Sequence, residues 1–259
     1  EEQTHFGASR TAALQVGVAL FALNPVAVYA VGYLVQRSIV MATLFAVLAC
    51  WLFVRGLQTN RAGWYGASLV SYVFAVLSKE YAVMTVAMTV PLYVYIRRPS
   101  WKAIAALTGG SLFALTLAGI AFWGIYGSLV GKVFDPRSVA LVQQLEAMRP
   151  GVTAHVYPLS ILNEAALFFA YGFLWFLPNV HWMSVDLRPA FPLGFGSWQH
   201  LLGAAGYVAL FFAAIWMVLR RRNALAAVGL FLLFPLIWFM TEFATVWVQD
   251  PFVLYRSYL

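Results

Sequence analysis

Lys79 and Glu80 stand side by side between two apolar runs, Trp64 to Leu77 and Tyr81 to Ile96. Either charge alone in hydrocarbon is expensive, so the pair marks a membrane surface or lines a polar cavity. Other charges fall at comparable places. Arg37 stands where an apolar run begins, Arg256 follows the last such run, and Asp186 and Arg188 lie in a polar loop. Taken singly, each reads as a charge anchored at a helix end with its stem in the apolar layer. Taken together they make a cationic pocket at the membrane surface. Arginine brings a planar fork of donors that matches phosphate, and lysine brings a point charge. Such a pocket suits the phosphate or pyrophosphate of a lipid carrier, with Glu80 orienting Lys79 or limiting how tightly the anion is held. Glu80, Asp186 and Asp250 are the carboxylates available to a reaction that needs a base.

Other chemistries leave no trace. There is no glycine-rich phosphate loop, no nucleophile elbow and no His-Glu-x-x-His pair. The four histidines are scattered, and nothing in the spacing of His155 and His181 argues for a metal. No cofactor is expected.

The elements that must position these residues are membrane helices. The chain has 259 residues, of which 63% are hydrophobic and 10% charged; its mean hydropathy is +0.81. A soluble domain is nearer a quarter charged, so this composition belongs to a polytopic membrane protein. The net charge of +7 then reflects orientation in the bilayer rather than a nucleic-acid partner. The single cysteine, Cys50, lies in an apolar run and reads as a packing residue. The polar start, Glu1 to Arg10, lacks the basic-then-apolar pattern of a signal peptide. It reads as an internal loop, and the chain is expected to be a fragment of a longer one.

A spanning helix needs about 20 apolar residues. The first run, Thr11 to Leu23, is short and stops at Asn24-Pro25. Ser38 to Val54, the two runs flanking Lys79-Glu80, Ala103 to Tyr126, Leu201 to Leu219 and Ala224 to Met240 follow. Gly110, Ala114 and Ala118 recur every fourth position, a stripe that allows close helix contact. Residues 127–160 form the longest polar loop, within which Ser138 to Met148 reads as a short helix stopped by Pro150-Gly151. Residues 179–200 form a second loop. Placing Arg10, Arg55, Arg61, Arg97, Arg98, Lys102 and Arg220 to Arg222 in the cytoplasm puts nine of the sixteen lysines and arginines inside, as membrane proteins prefer. Lys132 and Gln199 are then both external. Residues 161–177 between them read as re-entrant or interfacial.

The motifs resemble a known family. Asn24-Pro25-Val26-Ala27-Val28-Tyr29-Ala30-Val31-Gly32-Tyr33, followed by Val35-Gln36-Arg37-Ser38, resembles the motif after the third helix of bacterial relatives of the transmembrane-and-tetratricopeptide-repeat O-mannosyltransferases. Leu77-Ser78-Lys79-Glu80 matches their Ser/Ala-Lys-Glu motif. Tyr157-Pro158-Leu159-Ser160, Tyr171 to Pro178 and Met183-Ser184-Val185-Asp186 resemble the segment before their next external loop. Tyr255-Arg256-Ser257-Tyr258-Leu259 resembles their Arg-x-Tyr-Leu box. Type IV pilin glycosyltransferases share much of this pattern. The resemblance is best over residues 11–100.

The resemblance implies an all-α, GT-C-like transmembrane bundle in a single domain, residues 1–259, set in a bacterial inner membrane with its active face periplasmic. It implies transfer of a sugar from a polyprenyl-phosphate donor to a protein acceptor, such as a pilin or secreted protein, or to a glycan. Arg37, Lys79 and Arg256 would hold the lipid phosphate, with Glu80, Arg188, Tyr255 and Tyr258 in support. The chain also departs from the pattern. The family's His-Pro is Asn24-Pro25, and its glutamate is replaced around Val28 and Tyr29. GT-C enzymes carry a catalytic carboxylate in the first external loop, whereas this sequence starts before the third helix, so the base is expected outside it. The tetratricopeptide repeats are absent. An O-antigen ligase or polymerase would show longer regular helix arrays. A transporter would show charges at mid-membrane and matching halves.

Overall fold

The computed structural model describes residues 2–27, 32, 37–126, 131–133, 136–183, 189–220, 224–248 and 252–253; for residues 2–10, 122, 125, 126 and 180 it describes the backbone alone. Among the described residues the fold is all helix, and five helices are long and apolar enough to cross a membrane by length and composition.

Helix α1 (Glu2–Ala22) takes in the polar start that the sequence reads as a loop. It stops at Asn24, whose Oδ1 accepts from the Val26 backbone N–H at 2.9 Å in a side-chain-closed turn ahead of the chain's next segment. Helices α2 (Arg37–Thr59) and α3 (Ala62–Ser78) form an antiparallel hairpin. The turn between them puts Asn60 at φ 55°, a left-handed conformation that asparagine tolerates. The hairpin is tight because Gly56 faces a ring: a Cβ there would stand 2.8 Å from Tyr65 Cε1. Ser68 Oγ donates to Ala49 O at 2.8 Å, and Phe45 meets Phe74 at 5.4 Å. This register carries Arg37, at the start of α2, to the same end as Lys79, just past the end of α3.

The sequence reads Tyr81 to Ile96 as one run; the structure divides it. Glu80–Met88 is a nine-residue 3₁₀ helix, and only Thr89–Arg97 is α-helical, α4. Such a long 3₁₀ run is uncommon. Pro91 explains the break, because it has no N–H to offer the Ala87 carbonyl and its ring crowds that oxygen. Val83, Thr85 and Val86 add β-branched crowding.

Helix α5 (Trp101–Tyr126) touches the bundle lightly, with a hydroxyl contact of 3.2 Å between Ser111 and Thr89. Its small-residue stripe does not make the close contact expected of it here: a Cβ on Gly110 would meet nothing within 4 Å. Helix α6 (Pro136–Met148) is the short helix within the first loop, and Gly151 follows at φ 93°.

Helix α7 (Val152–Phe176) differs from the expected boundary. It is one uninterrupted helix of 25 residues, and it begins at Val152 rather than Ile161. Pro158 lies inside it. The chain that turns back is the chain after it. Met183 packs with Leu174 near the end of α7, while Gly194 lies against Arg149 just ahead of its start. Residues 131–133 and 191–193 therefore meet at one end of the bundle, Val133, Phe191 and Leu193 packing on one cluster and Gly131 N–H donating to Ala244 O at 2.9 Å.

Helices α8 (Trp198–Arg220) and α9 (Ala224–Phe239) complete the core. They run antiparallel in close contact, Gly229 against Met217 and Ala214, with the Tyr207 hydroxyl donating to Leu236 O. A short 3₁₀ helix, Met240–Ala244, follows. The main core gathers Met88, Leu92, Val94, Ala214, Leu233 and Leu236 from α4, α8, α9 and the long 3₁₀ helix.

The two ends of the bundle differ in charge. At one, Arg97 donates to the Asn60 side chain, Arg98 to Val218 O, and Arg55 lies 5.8 Å over the Trp64 ring. This ties the α2–α3 turn, the end of α4 and the end of α8 into a basic rim. At the other, Ala42, Ala75, Ala82 and Trp238 pack in one cluster, so the start of α2, Lys79 and the end of α9 lie together.

Candidate functional site

The site is built on the break in the chain at Lys79. Lys79 is extended, with φ −160° and ψ 133°, and separates α3 from the 3₁₀ helix. Its N–H still donates to Ala75 O at 3.0 Å, and its C=O accepts from Ala82 N–H at 3.1 Å. The side chain is therefore delivered from a fixed backbone. Tyr72 of α3 braces the corner through its hydroxyl on Val83 O at 3.0 Å. Lys79 Nζ lies 3.1 Å from Glu80 Oε1 and 5.2 Å over the Tyr81 ring. Lys79 is 26% and Glu80 48% exposed, so the pair opens to its surroundings. It is the one salt bridge among the described residues, and the carboxylate holds the ammonium over the aromatic face.

Arg37 opens α2 at this same end and is exposed. The hairpin thus carries two of the expected phosphate ligands and one supporting residue to the same end of the bundle. Asp186, Arg188, Asp250, Tyr255, Arg256 and Tyr258 lie outside the described residues. The described neighbour of the last group is anchored: Phe252 stacks on Tyr171 at 4.3 Å, and Val253 N–H donates to the Tyr171 hydroxyl at 2.7 Å.

Asn163, Glu164 and Glu242 are not among the site residues expected from the sequence. The structure buries all three. Ser160, Asn163, Glu164, Leu167, Tyr171 and Leu174 share one face of α7 by helical spacing. The chain after α9 lies along that face. Tyr157 donates to Phe243 O at 3.0 Å, Trp247 N–H donates to Ser160 Oγ at 2.9 Å, and Val253 caps the far end. The readable signal was two polar residues, one ionisable, in an apolar run. What covers them is a contact more than 80 residues distant in the chain. Among the described residues the Asn163 amide has no hydrogen-bond partner for either polar atom. Leaving such a group unmet costs about 1–3 kcal/mol. Asn163→Leu is therefore expected to raise stability by about 1 kcal/mol. Thermal unfolding in detergent checks this, and a loss of stability would show that the amide is satisfied.

Glu146 secures the start of α7. Its Oε1 accepts from Gly151 N–H at 2.6 Å, and Oε2 accepts from Thr153 N–H at 2.7 Å and Thr153 Oγ1 at 2.8 Å. The Gly151 and Thr153 backbone donors, then the Thr153 hydroxyl, hold its carboxyl below the ordinary carboxylate value. A folded-state value lower than the unfolded one adds stability above the unfolded pKa and loses it as pH falls through the folded one. Hydrogen-exchange protection at residues 151–153, taken relative to the intrinsic rate at each pH, should accordingly fall once pH drops below about 4.5, the ordinary value. In Glu146→Gln that pH step should be absent.

Among the described residues no three of His, Cys, Asp and Glu gather closely enough to hold a metal ion. What this end of the bundle offers is the Lys79–Glu80 ion pair and, at the start of α2, the exposed Arg37.

The model of the family described as dolichyl-phosphate-mannose-protein mannosyltransferase matches residues 5–142, just over half of the chain. No curated protein and no solved structure matches the chain. The matched stretch contains the hairpin that carries Arg37, Lys79 and Glu80. The chain belongs to the dolichyl-phosphate-mannose-protein mannosyltransferase family, and is a multi-pass membrane glycosyltransferase of the GT-C type.

Proposed function

We propose that this protein transfers a sugar from a polyprenyl-phosphate donor to a hydroxyl of a protein or glycan acceptor at the end of the bundle opposite the basic rim. The observation that carries this reading is the α2–α3 register, which delivers Arg37 and Lys79 to one end. Positive-inside orientation makes that end the external, periplasmic face of a bacterial inner membrane. Arg37 and Lys79, joined by Arg256, hold the phosphate that links sugar and lipid. Glu80 orients Lys79. Arg188, Tyr255 and Tyr258 support the same pocket.

The chemistry follows from the charges. The acceptor oxygen attacks the anomeric carbon, the bond from that carbon to the phosphate oxygen breaks, and polyprenyl phosphate departs with the electron pair. Fixed cations stabilise the charge that gathers on the phosphate as it leaves. A carboxylate takes the acceptor's proton; Glu80, Asp186 and Asp250 are the candidates within this sequence. Pilins and other secreted proteins are acceptors available on that face.

The test is the lipid that travels with the protein. A solvent extract of purified protein, read by mass spectrometry, should contain a polyprenyl phosphate or its glycosylated form, and Arg37→Ala should lose it. An extract with bulk phospholipid alone would point to a transporter and leave Lys79-Glu80 as an ordinary surface pair.

A further inference from the structure

A second polar site lies outside the hairpin, where the chain enters α7. The segment before α7 and the loop before α8 enclose a cavity of about 310 Å³. Arg149, His155 and Leu159 line it from the segment that enters α7, and Leu193, Gly194 and Phe195 from the loop before α8. Among the described residues no acidic side chain lines it. The nearest carboxylate on the same segment, Glu146, is engaged at both oxygens with Gly151 and Thr153. The start of α7 is thus already capped, and what the cavity offers an anion is the Arg149 guanidinium. Among the described residues that group forms no salt bridge. It occupies space that a side chain at position 194 would take: a Cβ on Gly194 would stand 2.5 Å from Arg149 Nη1 and 2.9 Å from Cζ. His155 and Phe195 meet edge to face at 5.7 Å and give the cavity an aromatic wall.

We propose that this cavity binds a sugar unit carrying an oxyanion, either a carboxylate or a phosphate. The planar fork of Arg149 matches both anions. The aromatic wall suits the apolar face of a sugar ring. The volume is at the small end of ligand pockets, which run from about 300 to 1,000 Å³, and fits one sugar unit rather than a chain. The site is separate from the one that holds the lipid phosphate, and it recognises the sugar or glycan by its charge.

Titration of the purified protein in nanodiscs with glucuronate, glucose 1-phosphate and neutral glucose tests this, followed by calorimetry. Either anionic sugar should bind and glucose should bind at least about tenfold more weakly, as a charge-assisted contact requires. Glucuronate alone would identify a carboxylate ligand, and glucose 1-phosphate alone a phosphate ligand. Arg149→Gln should lose at least about tenfold in affinity. Gly194→Ala keeps the charge but pushes the guanidinium aside, and it should weaken binding as well. Arg149 and Gly194 lie in loops, and unchanged melting temperatures will show that both variants fold. Binding of glucose as tight as that of the anions, equal affinity in both variants, or no binding to the unaltered protein would overturn the proposal. No lipid donor enters this titration, so its failure leaves the proposed transfer reaction standing.

Discussion

Arg37→Ala and Lys79→Ala should each lower sugar transfer from the proposed polyprenyl-phosphate donor by roughly 30- to 1,000-fold, about 2–4 kcal/mol of transition-state stabilisation. In the proposed reaction the leaving group is a phosphate whose charge grows as the bond breaks, so loss of a cation beside it should have a large effect. Lys79 should show the purer loss in kcat. Its ammonium is held by Glu80 at 3.1 Å and by the Tyr81 ring, so it is already oriented when the charge develops. Arg37→Lys should recover part of the activity, because it restores charge without the bidentate fork. Melting temperatures should stay close to the unaltered protein, since Arg37 is exposed and Lys79 partly so. Normal transfer by both alanine variants would sink the phosphate pocket.

Gly203→Val is the second large effect, and it falls on stability. A Cβ at Gly203 would stand 2.5 Å from Ala166 Cα and 2.6 Å from its Cβ. Backbone meets backbone there, so no flexible side chain can give way, and α7 must lift from α8. Overpacking of this kind costs about 1–3 kcal/mol and more where the neighbour cannot move; the upper part of that range is expected. Gly229→Val should behave alike, with Ala214 O at 2.8 Å in the way. Gly110→Ala is the control. Nothing stands within 4 Å of its built Cβ, and in mid-helix alanine is favoured over glycine by up to about 1 kcal/mol. Thermal unfolding in one detergent ranks the three. A neutral Gly203→Val would mean that the α7–α8 contact is looser than described.

Much of the bundle was legible in the sequence, because apolar length is a strong signal. The runs that became α2, α8 and α9 were bounded to within a few residues, since charge and turn residues stop them. Pro150-Gly151 announced the break before α7. The start of α7 was hidden, because Thr153, His155 and Pro158 look like loop residues, and only packing against α6 and the chain after α9 makes them helix. The 3₁₀ segment was hidden for another reason: residues 81–88 are apolar enough for a plain helix, and Pro91 acts backwards on the turn before it. At the candidate site, Lys79-Glu80 stood out because a charge pair in an apolar run is costly. That Arg37 joins it depends on hairpin register, through Gly56 against Tyr65 and Ser68 on Ala49. Asn163 and Glu164 were visible as misfits in α7, but the chain that buries them lies far along the sequence.

The most direct measurement of the account is a donor test with the purified protein in nanodiscs, using an acceptor protein from the periplasm. A labelled polyprenyl-phosphate sugar should yield labelled acceptor and one equivalent of polyprenyl phosphate, and the same sugar on a nucleotide should yield neither. Transfer from the nucleotide sugar alone would contradict the account.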